Sequence, residues 1–126
     1  MSEQRFLLQT PQHRARLLAE IGQLQFRKGR GYMVVFEPID MNTVAGQKRR
    51  LRSIEREICD HTGHDMEEVH ERLLARKYGT KEVDLGNGRT MHQPARRSSD
   101  MGYQEIVDYI DWVISIGIEY GVEFSQ

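Results

Sequence analysis

The chain is poor in several things, and each shortage excludes something. It has one cysteine and three prolines, and no apolar run approaches the ~20 residues that span a bilayer. A single cysteine rules out an internal disulfide and fits a reducing compartment. Few prolines and a moderate apolar share argue against a disordered tail. The opening MSEQRFLLQTPQHR lacks the apolar core of a signal peptide, so a cytoplasmic, non-membrane protein is expected. Catalytic signatures are missing too: no P-loop, no G-x-S-x-G elbow and no H-E-x-x-H. The GNG at 86–88 is a turn, not a phosphate cradle. A non-enzyme without a cofactor is the expectation. At 126 residues, a single domain over residues 1–126 is expected.

The hydrophobic pattern predicts the order β-α-β-α-α-β-β-α. RFLLQ, 5–9, reads as a short strand, and Thr10-Pro11 caps a helix running to about Leu24. Ala15, Leu17, Leu18 and Ile21 should face inward. YMVVF, 32–36, reads as a β-branched and aromatic strand closed by Pro38, with Tyr32 and Phe36 in the core. A second helix should run from about Thr43 to His61, stopped by Gly63. Asp65 and Glu68 have capping-box spacing, which predicts a third helix over about 66–78. Residues 81–92 should form a hairpin around the GNG turn, and the longest element should run from about Gly102 to Tyr120. The fold class is α+β: helices packed on a small antiparallel sheet, with a long C-terminal helix.

What the sequence does have is an uneven charge. Residues 1–57 carry 11 Lys or Arg against 6 Asp or Glu, whereas residues 58–126 carry 7 against 13. At ~100° per residue, Val44, Gln47, Leu51, Ile54 and Ile58 share one sector of the second helix, a buried seam. Arg49, Arg52 and Arg56 lie together on roughly the opposite side, with Lys48 at the margin and Arg50 nearby. Such a ridge either tracks phosphates or is an ordinary solvated face. Arg27, Lys28 and Arg30, flanked by Phe26 and Tyr32, form a second basic cluster with rings that suit unstacked bases. Arg96 and Arg97, just before the last helix, would extend a DNA path.

Cys59, His61, His64 and His70 give the spacing C-x-H-x2-H-x5-H. Zinc sites usually pair their ligands across a longer loop, and this cluster straddles a helix stop. No metal site is therefore expected: Cys59 reads as a small buried residue and His61 as a cation at a helix end. Asp60, His61 and Glu67 could serve a metal-dependent nuclease, but nothing in the sequence fixes them together. On the last helix, Ile106, Tyr109, Ile110, Val113, Ile114, Gly117 and Tyr120 form a broad apolar sector. Trp112 stands among Asp108, Asp111 and Gln104, and continues toward Ile116 and Tyr109. This is either a partner or dimer surface or a Trp lying along a neighbouring loop.

Several of these stretches, in this order and spacing, resemble the phage NinB (Orf) family of recombination mediators. The resemblance covers about residues 32–124: YMVVFEP, GQKRRLRSIEREI, DHTGHDMEEVHERLLARKYG and RRSSDMGYQEIVDYIDWVISIGIEYGVEF. The chain departs from the family in having Lys48 after Gln47 and Gly102 at the last helix's cap. The resemblance implies a small α+β homodimer that binds single-stranded DNA without catalysis. Its partners would be a recombinase or the host single-strand-binding protein, in the host cytoplasm if the protein is phage-encoded. The rival reading is a phage adaptor or inhibitor that binds a host protein through the acidic C-terminal helix. A metal-dependent nuclease is the third.

Overall fold

The computed structural model describes residues 4–125, which divide into two compact units. One takes in the described residues up to Asp40 together with Ser125; the other is Met41–Phe124.

The second unit is held by three helices. Helix α2 (Val44–Thr62) starts where the Thr43 hydroxyl accepts from the Gly46 N–H at 3.0 Å. It stops at Gly63, whose left-handed φ of 79° lets its N–H reach the Cys59 carbonyl. Helix α3 (Met66–Tyr78) follows, and the Asp65 carboxylate accepts from the Glu67 and Glu68 N–H groups at its head. Strands β1 (Thr80–Gly86) and β2 (Arg89–Pro94) form an antiparallel hairpin with Val83 opposite Met91. Asn87 and Gly88 both have positive φ, 55° and 72°, the requirement of a tight two-residue hairpin turn. A single 3-10 turn, Ser98–Asp100, leads into α4 (Tyr103–Glu119). Four helices and one two-stranded antiparallel sheet make the expected α+β fold, though α2, at 19 residues, is longer than α4.

The core is chiefly helix against helix. Leu51, Ile54 and Ile58 of α2 bury against Ile106, Tyr109, Ile110 and Val113 of α4, with Val69, Leu73 and Leu74 of α3, Met101 and Val122 completing the cluster. These are the expected seams of α2 and α4, except that Val44 and Ile114 are only half-buried and Tyr120 is 60% exposed. Each such side chain withdrawn from water contributes on the order of 1.5–3 kcal/mol. The hairpin is mostly exposed, and β2 leans on α3.

The first unit departs from expectation. Helix α1 (Pro11–Gly22) forms under the Thr10 cap. Residues 5–9 and 32–36, however, have no ladder partner among the described residues and are not strands. β-propensity alone does not make a strand, because the backbone needs a neighbour to pair with. The side chains follow suit. Leu18 is 61% exposed, Met33 91%, Phe36 74% and Tyr32 46%, so the expected inward positions of α1 and the core placement of Tyr32 and Phe36 are not realised.

Ile110 is wholly buried at the centre of the α2–α4 seam. Ile110→Ala should cost about 2–5 kcal/mol of stability, read as a lowered denaturation midpoint in urea with the slope unchanged.

Candidate nucleic-acid interface

Burying the Leu51–Ile54–Ile58 seam turns the opposite face of α2 outward. Arg49 and Arg52 are exposed, while Lys48, Arg50 and Arg56 are half-buried. Arg52 Nη1 lies 3.4 Å from Glu67 Oε1 on α3 and 3.8 Å from Glu55 Oε1 one turn along. The Glu67 pair is solvent-facing and weak, on the order of 0–1 kcal/mol, so a phosphate can compete for the guanidinium there, whereas the Glu55 carboxylate is buried. Lys48 Nζ reaches the Ser99 carbonyl at 3.5 Å, which brings the head of α2 to the RRSSD segment.

The two arginines of that segment are committed elsewhere. Arg96 makes a fork on Glu105, with Nε to Oε2 at 3.0 Å and Nη2 to Oε1 at 2.6 Å, and Nη2 also donates to the Asp100 carbonyl. The Arg96 hydrogen bond holds the Glu105 carboxyl below its usual range. Arg97 Nη1 donates to Glu71 Oε1. Both would have to leave a bidentate or short charge-assisted bond to meet a phosphate. Arg52, whose exposed pair is with Glu67, is therefore better disposed toward an anion than Arg96 and Arg97.

In the first unit, Arg27 and Arg30 face each other across a tight turn, where Arg30 N–H donates to the Arg27 carbonyl at 3.0 Å and Gly29 takes φ 82°. A cleft of about 310 Å³ is lined by Gln25, Arg27, Arg30, Gly31 and Tyr32. Phe26 stands edge-on to Tyr32 at 6.1 Å between centroids and is 79% exposed. An exposed ring beside two guanidinium groups and Lys28 has the make-up of a stacking platform for an unpaired base.

The Trp112 surface is not what the sequence suggested. Tyr109 and Ile116 are buried in the core, so they offer nothing to a partner. Trp112 is half-buried, stacked on Tyr109 at 5.9 Å, with Lys77 Nζ 5.2 Å from its ring centroid. Its apolar face is thus covered within the unit, and a cation caps it.

The Cys and His residues go four separate ways. Cys59 is buried in the core, and burial pushes its thiol up to about 11. His61 Nε2 lies 3.1 Å from the Tyr120 carbonyl, and His64 Nδ1 lies 3.9 Å from Glu68. His70 is buried against Glu55, a residue the sequence reading passed over. Glu55 lies 40° from Leu51 on a helical wheel (four residues at ~100° each), which was the available sign that it would turn inward. Among the described residues, no group of three or more His, Cys, Asp or Glu is arranged to hold a metal ion, and no helix is long and apolar enough to cross a membrane.

A solved structure of NinB matches 99% of this chain and 96% of its own, with a TM-score of 0.62 and 18% sequence identity. The chain has a NinB-like fold. No family model matches the sequence, and no curated protein matches it either. At this identity the likeness is one of architecture, and the NinB-like fold has here been built from a largely different set of side chains.

Two measurements check this geometry. Cys59 in the native protein should resist iodoacetamide at neutral pH and react fully once unfolded, as mass spectrometry will show, because the thiolate is the nucleophile. Glu105, whose pKa is lowered on folding, stabilises the protein above its unfolded value of about 4.3, and that contribution fades as pH falls through the folded value. The stability gap between wild type and Glu105→Gln should therefore narrow in acid, as paired denaturation curves will show.

Proposed function

We propose that the protein binds single-stranded DNA without catalysing any change in it, as a phage recombination mediator working as a homodimer. The observation that carries this reading is the exposed arginine face of α2, Arg49 and Arg52 with Arg56, Lys48 and Arg50 at its margins. Consecutive phosphates along a strand can engage such a row, with counterion release driving the association and little dependence on sequence. The Phe26–Tyr32 pair with Arg27, Lys28 and Arg30 supplies the aromatic component that unpaired bases favour. The NinB-like fold adds the context of phage recombination. In that context a recombinase or a host single-strand-binding protein is the protein partner, and the host cytoplasm is where they meet.

The homodimer rests on the first unit. Met33, Val34, Val35 and Phe36 form a run in which every side chain is more than half exposed, on backbone with no ladder partner. A second copy pairing with that segment would satisfy both the apolar side chains and the backbone.

The rival reading, an adaptor that meets a host protein through α4, has one observation in its favour. Asp108, Asp111 and Glu119 are exposed along α4, and Ile118 beside them is 60% exposed. With Trp112 covered by Lys77 and Tyr109, that surface offers charge but little apolar anchor.

The test is fluorescence anisotropy with a labelled single strand and the matching duplex at several salt concentrations. The single strand should bind more tightly, with a steep salt slope. Replacing Arg49, Arg52 and Arg56 by Ala should reduce the log–log slope by about 2, three contacts at roughly 0.7 each. An unchanged slope in a folded variant removes the ridge from the reading, and no binding at low salt removes the reading itself.

A further inference from the structure

Glu55 has no exposed surface, and His70 is 5% exposed beside it. His70 Nδ1 lies 2.6 Å from Glu55 Oε2, and the other ring nitrogen, Nε2, lies 3.3 Å from the hydroxyl of Ser98. A carboxylate only accepts, so Nδ1 carries the hydrogen and a neutral ring turns its Nε2 lone pair toward Ser98. Ser98 itself is half-buried and so open to solvent on one side. Three elements distant in the chain, α2, α3 and the 3-10 turn, thus bring together a hydroxyl, a base and a carboxylate that orients the base. That is the arrangement by which a serine is made nucleophilic, recognised by geometry and roles whatever the chain order.

A structural tie would be expected to satisfy both oxygens of a carboxylate buried this deeply. Glu55 Oε1 makes no hydrogen bond among the described residues, and the guanidinium near it, Arg52, is 3.8 Å away. Its charge is shared between His70, by a hydrogen bond, and Arg52, by a longer ion pair. Buried polar groups left partly unsatisfied are rare, and they concentrate where a site needs them.

We propose that Ser98, His70 and Glu55 form a serine-nucleophile site that takes an acyl group from a carboxylic ester. Ser98 Oγ attacks the ester carbonyl and its proton passes to His70 Nε2. The carbon–oxygen bond to the leaving alcohol breaks as that alcohol takes the proton back, leaving an acyl-serine. Water then adds to the acyl carbon, giving a proton to His70, and the carboxylic acid departs as Ser98 recovers its hydrogen. Glu55 is a positioning residue: it holds the tautomer and stabilises the ring when it is charged. The site adjoins the basic face through Arg52, which pairs with Glu55, but its test involves no nucleic acid.

The experiment uses the full chain with a fluorophosphonate probe and, separately, with p-nitrophenyl acetate. The expected result is an adduct on Ser98, located by peptide mass spectrometry, and p-nitrophenolate release above the buffer rate. Ser99 is the internal control, because it is exposed to the same reagent but has no bond to a histidine. Ser98→Ala should abolish both signals. Glu55→Gln keeps an acceptor oxygen facing Nδ1 but loses the charge, so it should slow labelling by about a hundredfold while circular dichroism stays native. Equal labelling of Ser98 and Ser99, signals that survive Ser98→Ala, or a folded Glu55→Gln protein that labels at the wild-type rate would overturn the proposal. Should Glu55→Gln fail to fold, Ser98→Ala and the Ser99 control decide the matter alone. None of these outcomes bears on anisotropy with DNA, so the two readings can fail separately.

Discussion

The contact between the apolar faces of α2 and α4 is the constraint from which the rest of the larger unit follows. Leu51, Ile54 and Ile58 can leave water only by meeting Ile106, Ile110 and Val113, and that requirement fixes the rotation of both helices about their axes. Once α2 is so turned, its arginines have one direction left to point. The basic face is thus a by-product of packing as much as a feature of charge. It is displayed on a helix held in place by the core.

The same rotation draws Glu55 inward. A carboxylate with no exposed surface must find a partner, since burying a bare charge costs several kcal/mol. His70 is that partner, and the pair ties α3 to α2. Ser98 and the Lys48 contact to Ser99 then attach the RRSSD segment to the same place. The polar interior and the basic exterior of α2 are therefore coupled through Arg52, which lies within reach of Glu55 on one side and Glu67 on the other.

The smaller unit follows a different logic. Its helix is capped and its turns are well formed, yet Leu18, Met33 and Phe36 remain in solvent. Local signals are enough for a helix of this length to start and stop, because Thr10 and Pro11 act within one turn. They are not enough for a strand, whose hydrogen bonds belong to another piece of chain. Residues 32–36 have strand composition but no ladder partner among the described residues.

The sequence by itself determined the helices of the larger unit, their caps and their buried seams. Periodicity and capping are local, so Leu51, Ile54, Ile110 and Val113 were legible as core and Asn87-Gly88 as a turn. It also determined which side of α2 the arginines occupy, since that is geometry within one helix. Tertiary structure alone decided everything that depends on a second element. It engaged Arg96 with Glu105 and Arg97 with Glu71, and it buried Tyr109 and Ile116. It laid Lys77 over Trp112, and it left residues 32–36 without a ladder. Above all it assembled Glu55, His70 and Ser98, which stand 15 and 28 residues apart and carry no shared motif. Separations of that kind are set by how helices dock, and no spacing rule along the chain encodes them.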